Sequence, residues 1–207
     1  LEPAEVAADQ QLSEEAIDLE YIRADLHEVL ERQADLTDER RPKAVAKRRK
    51  TGQRTARENL ADLLDDGSFM EYGGFALAAQ RMRRSHEELL EMSPADGLIT
   101  GIGTINAAQF GAEAARCMAL SYDYTVFAGT QGVTNHKKTD RMLELAEQWQ
   151  LPLVFFTEGG GGRPGDIDKV GVAGLDCTTF MRMARLSGMV PTVGVVSGRC
   201  FAGNAAL

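Results

Sequence analysis

Cysteine is scarce in this chain: Cys117, Cys177 and Cys200 are all that its 207 residues contain. They are odd in number and far apart, which fits neither a disulfide framework nor a zinc site. All three are expected to be small core residues, and with no histidine at ligand spacing no metal site is expected. No apolar stretch approaches the roughly 20 residues of a membrane helix, and no charged-then-apolar leader precedes a small-residue cleavage site. The simplest reading is a soluble, cytoplasmic protein. Nucleotide fingerprints are missing too. Gly101-Ile102-Gly103 lacks the later glycine and helix of a dinucleotide site, and Gly159 to Gly165 lacks the Gly-Lys-Ser/Thr that ends a P-loop. No serine stands between spaced glycines, so a hydrolase triad has no anchor.

What is present is a 43% hydrophobic chain, enough for one substantial core with an extension. Its charge is segregated. Residues 1 to 39 hold 13 acids against Arg23 and Arg32, and residues 40 to 57 hold nine bases and no acid. Such a basic block suits a phosphate-bearing ligand or nucleic acid, unless the acidic and basic helices simply neutralise each other or face solvent.

Residues 1–12 read as a linker. An acidic helical extension spans 13–39, with Ser13 as N-cap and Ile17, Tyr21, Leu26, Val29 and Leu30 at helical spacing through about Leu36. A basic helix follows Pro42 and breaks at Thr51-Gly52. Thr55-Ala56-Arg57-Glu58 has the form of a capping box ahead of Leu60, Leu63 and Leu64. A short extended piece is expected at Phe69 to Tyr72 and a charged surface helix at Gln80 to Glu91. Strands are expected at Leu98 to Ile105 and from Ala115 through Phe127, as a meander. Helical spacing resumes at Asn135 and feeds an apolar strand at 151–156; a helix at 168–187 then leads to a strand at 191–197. This order is that of repeated β-α units on a largely parallel sheet.

Both late strands end in small-residue turns: Glu158-Gly159-Gly160-Gly161-Gly162-Arg163 and Gly198-Arg199-Cys200-Phe201-Ala202-Gly203-Asn204. A buried strand that delivers naked backbone presents N–H groups to an anion with no side chain in the way. Four successive glycines are costly to order, which favours anion binding over a purely structural turn. Glu158 reads better as a hydrogen-bond partner at the strand end than as a general base, because a carboxylate opposes a developing anion beside it. His27 and His86 are expected to be exposed. His136 stands at a predicted helix start, where docking of a phosphate or ring and a capping or solvent role are alternatives.

Several blocks then resemble a known family in the right order. Lys50 to Leu60, followed by Leu63-Leu64-Asp65-Asp66-Gly67-Ser68-Phe69-Met70-Glu71, is similar to the "GKLTARERI…LLDPGSFVE" stretch that opens biotin-dependent acyl-CoA carboxyltransferases. The likeness continues through Asp96 to Asn106 and Asp123 to Thr130, and ends in Ser197 to Ala205, covering roughly residues 40 to 207. The resemblance implies a crotonase-like α/β fold, the ββα superhelix of the ClpP/crotonase type, truncated and preceded by the N-terminal helical extension. It also implies transfer of a carboxyl group from carboxybiotin to the α-carbon of an acyl-CoA, through an enolate held by backbone donors. The biotin left behind can take the α-proton, so no side-chain base is required.

Carried over residue by residue, the family's "SGGAR" falls on Gly159 to Arg163 and its "AGGA" on Ala202-Gly203-Asn204-Ala205. This places the oxyanion donors on the N–H groups of Gly203 and Asn204, and the coenzyme A pocket on Gly161, Gly162 and Ala202, with Arg54 and Arg57 on CoA phosphates. Glycines at 159 and 162 loosen the first loop, and Asn204 departs from the second; asparagine tolerates unusual backbone angles. The span from Ala107 to Arg116 is longer than the family's hairpin. The implied partners are the acyl-CoA, biotin carboxyl carrier and biotin carboxylase components, and a homo-oligomer in which the C-terminal half of a neighbouring subunit completes the site. Leu1 in place of Met, and a stop at Leu207 where a helix begins, suggest a piece of a longer protein, inactive alone. Two alternatives stand beside this: a biotin-dependent acyl-CoA decarboxylase subunit, and a non-catalytic interaction or nucleic-acid module built on the 40–57 block. On the carboxyltransferase reading neither nucleic acid nor a membrane is a partner.

Overall fold

A computed structural model describes residues 23–168 and 177–207 of the chain. The 1–12 linker and the first part of the 13–39 extension lie outside the described residues. From the extension, helix α1 spans Ala24–Ala34. The basic helix forms as α2, Pro42–Arg49, with Pro42 opening it where a missing N–H costs nothing. Helix α3, Ala56–Leu63, carries the expected box: Glu58 N–H donates to Thr55 Oγ1 at 3.1 Å, and Thr55 N–H to Glu58 Oε2 at 2.8 Å.

The remaining elements alternate in type. They are β1 Met70–Glu71, α4 His86–Met92, β2 Leu98–Thr104, α5 Ala107–Phe110, β3 Arg116–Tyr122, α6 Val133–Trp149, β4 Leu153–Phe156, α7 Thr179–Leu186, β5 Thr192–Val195 and α8 Gly203–Ala206. One five-stranded sheet runs β1 to β5 in chain order. The pairs β1–β2 and β2–β3 are antiparallel, and β3–β4 and β4–β5 are parallel. The sheet is therefore mixed: a meander leads into β-α units.

Period-two alternation sorts side chains onto the two faces. Met118, Leu120 and Tyr122 of β3 join Leu153 and Phe155 of β4 in the larger core, under Met142, Leu143 and Ala146 of α6 and Leu186 of α7. Cys117 and Ala119 face the other way onto Ala56, Leu60 and Leu64 from the α3 segment. Each wholly buried Leu or Phe is worth about 1.5–3 kcal/mol. Helix α3 thus covers one sheet face with its apolar side, and the basic helix α2 joins the domain through its buried residue, Arg48. The opposite edge is different: Val193 on β5 is 51% exposed, and beyond it Val196 is 58% and Phe201 56% exposed.

Several sequence expectations are corrected. The helix expected from Gln80 starts only at His86, where Ser85 supplies a capping box; residues 80–84 instead form turns that dock on Asp168, whose carboxylate accepts the amides of Arg81 and Met82. The run expected to stay extended through Phe127 ends at Tyr122, because Asp123 accepts the Thr125 N–H at 2.8 Å and turns the chain, after which Phe127 and Ala128 take positive φ angles of 48° and 53°. Of the helix expected at 168–187, α7 covers Thr179–Leu186, and residues 169–176 lie outside the described ones. The long Ala107 to Arg116 span holds the short α5. Only Cys117 is buried; Cys177 and Cys200 are half-buried.

Candidate functional site

Three parallel strands, β3, β4 and β5, end side by side, and the loops that leave them are laced together by main-chain hydrogen bonds. The carboxyl ends of parallel strands are where α/β folds hold ligands. Gly160 N–H donates to Ala128 O at 3.0 Å, Gln131 N–H to Gly161 O at 2.7 Å and Arg163 N–H to Gln131 O at 2.7 Å, which joins the first glycine loop to the loop after β3. Gly159 N–H donates to Arg199 O at 2.8 Å, and Phe201 N–H returns to Gly159 O at 3.0 Å, which joins it to the second turn. Glycine is required where these backbones touch. A Cβ on Gly129 would lie 2.7 Å from Glu158 O, and one on Gly159 would lie 2.3 Å from Gly129 O. Ala202 holds φ 46°, ψ −118°, an unusual conformation for a residue with a Cβ.

The sequence-derived site residues fall as follows. Gly161, Gly162, Ala202, Gly203 and Asn204 come together across the two turns. Asn204 N–H donates to Phe201 O at 3.0 Å, so it closes the turn, whereas the Gly203 and Gly162 N–H groups have no acceptor among the described residues. Gly161 N–H is taken by Asn204 Oδ1 at 2.9 Å. Arg54 and Arg57 lie apart from this group. Arg54 Nη1 pairs with Asp62 at 3.0 Å on the surface, while Arg57 Nη1 pairs with Glu71 at 3.0 Å and its Nε donates to Leu36 O.

A cavity of about 310 Å³ opens instead beneath α2, lined by Lys47, Arg48, Thr51, Tyr124, Phe127 and Ala128. Its wall at 127–128 belongs to the same loop that bonds the first glycine turn. The wall is aromatic with two cations. Lys47 is exposed, with no carboxylate partner among the described residues. Arg48 is buried: Nη1 donates to Glu158 Oε1 at 2.9 Å and to Gln53 Oε1 at 2.7 Å, Nη2 to Glu158 Oε2, and Nε to Arg54 O at 2.8 Å. Glu158 therefore anchors α2 to the end of β4, as its reading as a strand-end partner required. Arg41 reinforces this by pairing with Asp123 at 2.8 Å.

A second buried network sets the other side of the first loop. Arg163 Nε donates to Asp166 Oδ1 at 2.8 Å and Nη2 to Asp166 Oδ2 at 3.0 Å and to Asp96, with the guanidinium 4.9 Å over the Phe127 ring. Asp166 Oδ2 accepts Val133 N–H at 2.9 Å and Asp96 Oδ2 accepts Asn135 N–H at 2.7 Å, so two carboxylates satisfy the open amides of α6. Burial pushes the Asp96 carboxyl up to about 6 against the pull of Arg163. For Asp166 burial is outweighed by its bonds to Arg163, which hold it below the usual carboxylate range. On α6, burial pushes the Lys138 ammonium down to about 8; it donates to Ala95 O at 2.8 Å and to Leu98 O. His136 is also buried, with Nδ1 2.9 Å from Thr179 Oγ1, and burial lowers its pKa. His27 and His86 are exposed.

Sequence reasoning did not single out Arg48, Lys47, Tyr124 or the Asn204 side chain. Arg48 and Glu158 are 110 positions apart, and no local pattern links such a pair. Asn204 did carry a signal, a polar residue in a turn of small ones.

The match to known proteins is consistent across sequence and structure. Residues 47–207 match the carboxyl transferase domain. The propionyl-CoA carboxylase beta chain of Saccharopolyspora erythraea is 32% identical over 190 residues, 91% of this chain and 32% of that one. A solved single-chain, multi-domain long-chain acyl-CoA carboxylase superposes with TM-score 0.84 at 61% identity, covering 89% of this chain and 18% of that one. The transcarboxylase 12S hexamer with methylmalonyl-coenzyme A bound superposes with TM-score 0.70 at 31% identity, covering 87% of this chain and 33% of that one. The chain thus spans about a third or less of each of these proteins. With a mixed sheet, glycine turns at the ends of its parallel strands and a family match over most of its length, this chain belongs to the carboxyl transferase domain family.

Proposed function

We propose that this chain forms the acyl-CoA side of a biotin-dependent carboxyltransferase, binding the thioester and stabilising its enolate while a carboxyl group is added at the α-carbon. The observation that carries this reading is the conjunction of a cavity of about 310 Å³, walled by aromatic and cationic residues, with turn amides at Gly203 and Gly162 that have no acceptor among the described residues. An elongated thioester laid from the cavity toward the turns sets its pantetheine stem against Tyr124 and Phe127 and its carbonyl oxygen at Gly203 N–H. One preorganised donor at a developing oxyanion is worth about 3–4 kcal/mol. Gly161 and Ala202 shape the pocket, because close approach there leaves no room for a larger side chain.

The CoA phosphates are assigned to the basic block. Lys47 lies at the cavity, and Arg54 is held by an exposed pair with Asp62 of the kind worth about 0–1 kcal/mol and by an exposed bond from Nη2 to Glu58 O at 2.8 Å, so a phosphate can compete for it. Arg57, half-buried between Glu71 and Leu36, contributes by holding α3 in place.

Biotin, carried by a separate carrier domain and loaded by a biotin carboxylase, supplies the carboxyl group when bound. The first loop fits its approach: Gly162 is exposed, and a Cβ there would meet nothing within 4 Å. The complementary surface is assigned to the C-terminal half of a neighbouring subunit. The exposed apolar residues Val193, Val196 and Phe201 supply a surface such a half would cover. The 207 residues alone are accordingly expected to be inactive.

Two assays test this. Binding of labelled acyl-CoA to the intact protein, against a random oligonucleotide at moderate salt, should favour the acyl-CoA. Transfer of labelled carboxyl from a carboxyacyl-CoA to free biotin should require the complete chain. Retention of the oligonucleotide with no acyl-CoA binding would overturn the reading, and robust transfer by the 207 residues alone would overturn the need for a second half.

A further inference from the structure

The side chain of Asn204, and not only its backbone, joins the three loops of the site. It is wholly buried. Oδ1 accepts Gly161 N–H at 2.9 Å and Nδ2 donates to Gly129 O at 3.1 Å, so one carboxamide bridges the first glycine loop and the loop after β3 while sitting in the second turn. The same group fills the space in front of Gly159, where a Cβ would lie 2.1 Å from Nδ2 and 2.7 Å from Cγ. Its main-chain N–H is spent on Phe201 O at 3.0 Å. Three consequences follow. Gly161 N–H is withdrawn from any ligand, the Gly129 peptide is fixed, and the neighbouring Gly203 N–H, with no acceptor among the described residues, stands beside a braced turn.

We propose that the Asn204 carboxamide is a positioning residue for acyl-CoA carboxylation. By taking the Gly161 amide it makes that stretch of the first glycine loop a wall and leaves Gly162 N–H as the loop's open amide, and it sets the position of the Gly203 amide that meets the thioester oxygen. This rests on the proposed function above, with the substrate a CoA thioester. Positioning matters here because a displacement of about 1 Å at a reacting group can cost about a hundredfold in rate, and nothing else buried in the second turn reaches both other loops.

The test uses the intact carboxylase with Asn204→Gly and Asn204→Asp, monitored for folding by thermal denaturation. Asn204→Gly is expected to lower kcat by about 10- to 100-fold, with the acyl-CoA KM changed by less than about threefold. Affinity for a CoA thioether that lacks the carbonyl oxygen is expected to be unchanged. Asn204→Asp keeps the acceptor for Gly161 N–H but turns an acceptor toward Gly129 O. Its kcat, relative to the unmodified enzyme at each pH, is expected to fall at neutral pH and to recover on acidification, when the protonated carboxyl can donate to Gly129 O. Unchanged kcat in Asn204→Gly overturns the inference, and so does an equal loss of turnover and thioether binding, which would mark a packing role alone. If Asn204→Gly does not fold, a flat relative pH profile for Asn204→Asp overturns it instead. An unmodified enzyme that neither binds nor carboxylates an acyl-CoA defeats the proposed function itself, whereas an active enzyme indifferent to both substitutions defeats only the role of Asn204.

Discussion

Replacing Arg48 by methionine should be among the most damaging single changes in the N-terminal half. The guanidinium is 6% exposed and its partner carboxylate on Glu158 9%, so the pair is shielded from water and salt. Methionine preserves most of the stem's volume but leaves Glu158 as an uncompensated buried charge, and breaking a buried pair from one side costs about 3–5 kcal/mol. It also removes donors from Gln53 Oε1 and Arg54 O and the stacking of the guanidinium 5.3 Å over Tyr124. Neutralising the partner as well should recover part of the loss. Arg48→Met with Glu158→Gln is expected to be more stable than Arg48→Met alone by about 2 kcal/mol, a coupling typical of residues in contact. Arg54→Met, at a pair that is 51% and 70% exposed, should move stability by less than about 0.5 kcal/mol. Denaturant unfolding of the intact protein measures all of these. The reasoning fails if the double variant is no more stable than Arg48→Met, or if Arg48→Met costs no more than Arg54→Met. Turnover of Glu158→Gln supplies a separate check. A structural anchor loses activity only through loss of fold, whereas a general base would lose about a hundred- to ten-thousandfold with the fold intact.

Leu143→Ala, at a residue with no exposure in the larger core, should cost about 2–5 kcal/mol in the same unfolding assay. Gly159→Ala should destabilise by about 1–3 kcal/mol because its Cβ would lie 2.3 Å from Gly129 O; Gly162→Ala, with nothing within 4 Å, should be nearly neutral for stability. Asp96 predicts a pH dependence. With its carboxyl raised from 3.8 to about 6, the folded state keeps a proton that the unfolded state has released. The resulting contribution to stability is complete below pH 3.8 and lost as pH rises through 6. Asp96→Asn should flatten stability against pH across that window. Reversing the charges of Lys47 and Arg54 together should weaken acyl-CoA binding at low salt and blunt its salt dependence, and unchanged binding would remove the basic block from the CoA site.

The N-terminal helices show how much of the fold was legible in the chain. Thr55 to Glu58 forms its capping box, Pro42 opens its helix, and Asn135 to Trp149 lies in the helix that the spacing of Met142, Leu143 and Ala146 requires. These features depend on contacts within a few residues. The strand through Phe127 was overextended for a physical reason. Tyr124, Val126 and Phe127 have strong β-propensity, but Asp123 accepts Thr125 N–H at 2.8 Å and turns the chain, so that positive φ at Phe127 and Ala128 carries the backbone to Gly160. Propensity yields here to a local Asx hydrogen bond and to the lacing of the loops. The helix expected from Gln80 closes a single turn, with Arg83 and Arg84 N–H donating to Gln80 O, and is broken at Ser85, whose extended backbone and capping box with Glu88 start a new helix.

At the site, the division between sequence and structure follows the range of the interactions. The order of strand, glycine turn, helix and strand, together with its resemblance to the carboxyltransferases, was enough to bring Gly161, Gly162, Ala202, Gly203 and Asn204 forward as one group, because glycine runs after apolar strands report on backbone that must stay bare. Which amides are open was settled only by tertiary packing. Asn204 N–H closes its own turn and Gly161 N–H is held by the Asn204 carboxamide, leaving the Gly203 and Gly162 groups without acceptors among the described residues. The basic block was equally visible as charge. Its partition into a buried anchor at Arg48, a surface pair at Arg54, a half-buried pair at Arg57, and a Lys47 beside a cavity with no carboxylate partner among the described residues depends on carboxylates at Glu158, Asp62 and Glu71. Charge can be counted along a chain, but whether a charge is paired or open to a ligand depends on which distant groups folding brings within hydrogen-bond reach.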